Sequence, residues 1–127
     1  MIIRAEQMQQ FEAAVDEAFA KRVASHLREK HADSVDKLDA PTLLDLVTNG
    51  IQRGRGHGLR GESSLTKFVA LMFVIGPDFD HHLKAASVLA DTEIAPDDRV
   101  DALVEALTDE DWREARANSR PSAWLEG

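Results

Sequence analysis

A chain of 127 residues with no cysteine has room for one hydrophobic core but no means of building a disulfide framework or a cysteine-based zinc site. Its net charge of −8 comes entirely from the second half: residues 1–60 carry nine Lys/Arg and nine Asp/Glu, residues 61–127 six and fourteen. That acidity disfavours phosphate-backbone partners, and the longest apolar run, Phe68 to Ile75, is eight residues, far short of the ~20 that cross a bilayer.

The opening Met-Ile-Ile-Arg-Ala-Glu-Gln lacks the basic start and apolar run of a secretory leader, so a cytoplasmic protein is expected. From Ala5 to Ala32 apolar residues recur at Met8, Phe11, Val15, Phe19, Val23 and Leu27, the steps of one helical face. Ala14, Ala18 and Ala24 broaden that stripe, and no Gly or Pro interrupts it. The polar stretch Asp33 to Ala40 reads as a connector. Pro41 suits a helix's first turn, with Asp39 as a cap, and Leu43, Leu44, Val47 and Ile51 mark a second apolar face. Gly50 either ends this helix or allows close packing within it; the spacing of Ile51 favours continuation to about Arg55.

Gly54 to Gly61 holds four glycines in eight residues and reads as a flexible loop. Ser63 or Ser64 is placed to cap a third helix, Leu65 to Ile75, apolar nearly all round and therefore central. A buried strand is the alternative for that run; the serines, the terminating Gly76-Pro77 and the helical neighbours favour the helix. Phe79 anchors the next loop, and Leu83 to Leu89 is a short helix. Pro96, Asp97 and Asp98 open another, with Val100, Leu103, Val104 and Leu107 inside. Thr108 to Asp111 resembles a capping box that starts a last helix carrying Trp112. Pro121 ends the pattern, and residues 118–127 form a tail whose Trp124 and Leu125 either dock or await a partner. The fold expected is all-α, a single-domain bundle of five or six helices with an apolar central helix, spanning 1–127.

Four motifs invite functional readings. Gly56-His57-Gly58-Leu59-Arg60-Gly61 matches the spacing of a dinucleotide-binding turn, but no buried strand feeds it. Gly56 to Ser63 is one residue from a phosphate-binding loop, yet Glu62 sets a negative charge where lysine should meet phosphate. Arg53, Arg55 and Arg60 are too few, and lack the interleaved aromatics, for nucleic acid; acids of the second half, or of a partner, are their natural counterparts. Asp78-Phe79-Asp80-His81-His82 alone looks like a metal centre, although adjacent histidines do not readily share one ion from a helix. No cofactor, metal site or catalytic residue is expected.

Gly50-Ile51-Gln52-Arg53, Gly58-Leu59 and Leu71-Met72-Phe73-Val74-Ile75-Gly76-Pro77-Asp78-Phe79-Asp80 together resemble a pattern in small bacterial helical proteins encoded beside type VI secretion effector genes. The resemblance implies a loading chaperone, adaptor or immunity partner, and transfers no catalytic residue. The acids between Asp78 and Asp111, eleven against two bases, then become the candidate surface, with Asp97, Asp98, Asp101 and Glu105 turned to a protein partner. A solvated face that aids solubility is the plainer alternative, and a small metal-binding protein or enzyme built on residues 78–82 the competing one.

Overall fold

The computed structural model describes residues 15–125, and every regular element among them is helical. Helix α1, Glu17–Lys30, starts where the Asp16 carboxylate accepts the Ala18 N–H at 2.9 Å. Asp16 itself lies outside helical geometry, so the unbroken helix expected from Ala5 to Ala32 does not run through this point. Met8, Phe11 and Ala14 lie outside the described residues. Phe19, Ala20, Val23 and Leu27 form the buried stripe. Ala18, expected to widen it, is exposed.

The expected connector holds a further helix, α2, Ala32–Val35, whose Val35 is buried. Helix α3, Ala40–Gly56, begins as its sequence indicates: Asp39 accepts the Thr42 N–H at 2.9 Å and Pro41 occupies the first turn. Gly50 lies inside it because a Cβ there would meet Val69 at 3.0 Å and Met72 at 3.2 Å. Gly54 is also helical, and its Cβ would meet Leu65 at 2.8 Å. Gly50, expected inside the helix, and Gly54, read as loop, together form the surface on which the next helix rides.

That helix, α4, Glu62–Val74, is the centre of the domain, packed against α1, α2 and α3 and against the later α6, Arg99–Ala106. Leu65, Phe68, Val69 and Met72 are buried, while Leu71 and Phe73 are only half-buried. The expected serine cap is absent: Gly61 is the N-cap, and the Ser64 hydroxyl is buried without a hydrogen-bond partner. Helix α5, Leu83–Leu89, follows a turn in which Phe79 is buried against Phe68, with ring centroids 5.1 Å apart.

Val100, Leu103 and Leu107 bury the inner face of α6, but Val104, expected beside them, is 50% exposed. Steps of three and four through 100, 103 and 107 define the inward direction, and Val104 stands at its edge with no element laid over it. Helix α7, Asp109–Ala117, opens on a full capping box between Thr108 and Asp111. These seven helices form one domain, one helix more than the upper count expected. The described part of the tail is docked. Residues 121–125 make a 3-10 turn, Ala123 is fully buried, and the Trp124 ring lies 4.7 Å from Phe73.

Candidate functional site

The strongest polar feature is a buried cluster around Asp80, whose side chain is 3% exposed. Residues four apart on a helix share a face, and α3 with its C-cap uses this to present Arg53 and His57 together. Asp80 Oδ2 accepts from Arg53 Nε at 2.9 Å and from His57 Nε2 at 2.8 Å. The guanidinium also donates through Nη2 to His81 Nε2 at 3.0 Å and through Nη1 to the Ala123 carbonyl at 3.2 Å. Burial opposes ionisation of Asp80, but the hydrogen bonds from His57 and Arg53, with the charge on Arg53, outweigh it and hold its pKa below the ordinary value.

An aspartate that orients an imidazole is half of a general-base system. The other half is a nucleophile bonded to that imidazole, and the described residues supply none: the buried Ser64 hydroxyl has no partner at all. What the cluster does is mechanical. It ties α3, the 79–81 turn and the C-terminal turn to one guanidinium. Further bonds join the same region: Asn49 Nδ2 donates to the Trp124 carbonyl at 2.7 Å, and Asp78 accepts from the Arg120 backbone and side chain at 3.3 Å.

The would-be metal stretch is therefore dispersed. Asp78 faces Arg120, Asp80 faces Arg53 and His57, His81 faces Arg53, and His82 Nε2 lies 3.3 Å from Glu114. His82, Glu114 and Asp111 do bring ligand atoms within 4.8 Å of one another. However, Lys84 Nζ already donates to Asp111 at 2.9 Å, and the Lys84 N–H points to His82 Nδ1 at 3.3 Å. With Nδ1 accepting, a neutral ring carries its proton on Nε2, where an ion would need the lone pair.

The four acids chosen from the sequence divide into two kinds. Asp97 accepts the backbone N–H groups of Arg60 and Gly61, both at 2.8 Å, which lower its pKa and tie the glycine-rich loop to the start of α6. That loop is pinned rather than loose: Leu59 within it is fully buried, and Arg99 Nη1 donates to the His57 carbonyl at 3.3 Å. Asp101 pairs with Lys67 of α4 at 2.8 Å. Asp98 and Glu105 are exposed and have no partner among the described residues, as is true of Glu93 and Glu110.

No protein-family model, curated protein or solved structure matches the chain.

A cleft of about 550 Å³ opens beside this acidic surface, between α4, α6 and α7, with Leu71, Ile75, Val104 and Trp112 as its apolar lining. Sequence reasoning missed both the Asp80 cluster and this cleft. The i, i+4 spacing of Arg53 and His57 was a usable signal for the first. For the second, only the stepwise inner face of α6 separates Val104 from its buried neighbours.

Proposed function

We propose that the protein is a non-enzymatic interaction module that captures a basic surface of a protein partner through its acidic second half. The observation that carries this reading is the set of exposed acids, Glu93, Asp98, Glu105 and Glu110, that have no counter-charge among the described residues. Acids needed for the fold are engaged internally, as at Asp80 through Oδ2 and at Asp97 and Asp111, whereas these four stand clear of such duties. A one-sided field of this kind chiefly accelerates encounter with an oppositely charged protein and repels nucleic acid.

The resemblance to accessory proteins of type VI secretion makes a secreted effector the natural partner, with the module as chaperone or adaptor. An immunity protein that neutralises a toxin in the cytoplasm would use the same face. The test is affinity capture from the native host at low and raised salt, with the wild type and an Asp98→Lys/Glu105→Lys variant shown by circular dichroism to be folded. A specific partner captured by the wild type, weakened by salt and lost in the variant, supports the reading. Unchanged capture by the folded variant refutes it.

A further inference from the structure

Helix α7 turns one face away from the core. Asp109, Trp112, Arg113 and Arg116 follow at steps of three, one and three, so they lie along a single stripe, and all four line the cleft. Asp111 and Ala115, on the opposite side, are buried. The exposed stripe thus runs from an acid through a half-buried indole and an arginine to a second arginine, over roughly 10 Å of helix. No ion-pair partner for Asp109, Arg113 or Arg116 occurs among the described residues.

This order is complementary to its own reverse. Place a second α7 antiparallel to the first, with a twofold axis between Trp112 and Arg113. Asp109 then faces Arg116 of the second copy, and Trp112 faces its Arg113, each relation occurring twice. Opposite charges meet at both ends, and a guanidinium meets an indole on either side of the axis. A twofold interface demands such self-complementarity, because each residue's partner must be matched in both directions. The exposed Val104 and the half-buried Leu71 border the same cleft and would be covered by the second helix. By contrast, the groove between α1 and α3 is rimmed by Lys21 and Arg28, one sign of charge, and would repel its own copy.

We infer that the occupant of the α4–α6–α7 cleft is a second copy of this chain, and that the protein forms a twofold dimer through antiparallel α7 helices. The capture surface of the proposed function is carried by other residues, so the dimer stands or falls independently of it.

Sedimentation equilibrium of the full chain, followed across about three decades of concentration, tests the inference. The wild type is expected to pass from the mass of one chain to that of two. Asp109→Arg and Arg116→Asp should each weaken association about tenfold, since either change sets like charges together at both ends. The double variant Asp109→Arg/Arg116→Asp restores the pairing in reverse and should recover wild-type association to within about threefold. Both single changes also oppose the helix dipole, so circular dichroism accompanies them. Arg113→Gln leaves the helix ends alone and should weaken the dimer several-fold through loss of its contact with the indole. A single-chain mass at every concentration overturns the inference. So does a dimer indifferent to these changes, or a folded double variant that associates no better than either single one.

Discussion

Removing the carboxylate of Asp80 is the sharpest test of how this fold is held. Asp80→Ala deletes the acceptor of two short bonds, from Arg53 Nε at 2.9 Å and His57 Nε2 at 2.8 Å. It leaves the Arg53 side chain, only 14% exposed, with a charge that water barely reaches. Breaking a buried pair from one side costs about 3–5 kcal/mol. Arg53 retains its bonds to His81 and the Ala123 carbonyl, which place the expected loss near the lower end, about 3 kcal/mol. For a domain whose whole stability is of order 5–15 kcal/mol, this is a large fraction. The internal control is Lys67→Ala. Its pair with Asp101 has both side chains half-exposed or more, and its loss should cost under about 1 kcal/mol. Urea unfolding at neutral pH, followed by circular dichroism, reads both midpoints on one scale. If Asp80→Ala costs no more than Lys67→Ala, the central role given to the buried cluster is wrong.

The glycines of α3 should respond in opposite directions: Gly54→Ala destabilises by about 1–3 kcal/mol because its Cβ meets the buried Leu65 and Phe68, whereas Gly56→Ala, with nothing within 4 Å, stabilises by about 0.5–1 kcal/mol, both read by thermal melts. Phe68→Ala, at a fully buried ring, should cost about 3–5 kcal/mol, and Leu71→Ala clearly less because that side chain borders the cleft; equal losses in urea unfolding would contradict the placement of α4. Acid unfolding should show carboxylate linkage: Asp111 is lowered to about 2 by the Thr108 N–H and Lys84, so its contribution is complete above the ordinary carboxylate range and is lost as pH falls toward 2. Removing Lys84 should shift that loss to higher pH, a change readable in an acid titration by circular dichroism. Titration with ATP, GTP or NAD should give no saturable binding, because Asp97 holds the N–H groups of Arg60 and Gly61 and Glu62 repels phosphate.

Much of the architecture was legible because helix punctuation is local chemistry. Asp39 with Pro41, Thr108 with Asp111, and the limits of the Leu83–Leu89 helix all follow from short-range rules that no distant contact overrides. The misreadings share a different cause. Gly54 looked like loop because glycine frequency carries no information about an opposing helix, and Leu65 lies 11 residues beyond it. The start of α4 looked as though it needed a serine, but Gly61 is its N-cap, held in place by Asp97 of another element, which accepts the N–H groups of Arg60 and Gly61. Asp80 was weighed as a metal ligand because sequence shows its histidine neighbours and hides Arg53, 27 positions away. The acidic face was visible as a count, yet only the structure separates Asp97 and Asp101, which are engaged, from Asp98 and Glu105, which are not.

The chain has two tryptophans and no tyrosine, so its ultraviolet emission is divided between two well-separated duties. Trp124 packs at a tilt on Phe73 and is tethered through its carbonyl to Asn49, while Trp112 looks into the open cleft. A Trp112→Phe chain therefore glows only from the C-terminal turn, and its spectrum shifts to longer wavelength when that turn lifts away from Phe73. A Trp124→Phe chain glows only from the cleft, and its accessibility to a soluble quencher falls when something covers α7. Detachment at one end of the molecule and occupancy at the other can thus be followed as two separate optical signals, without attaching a dye.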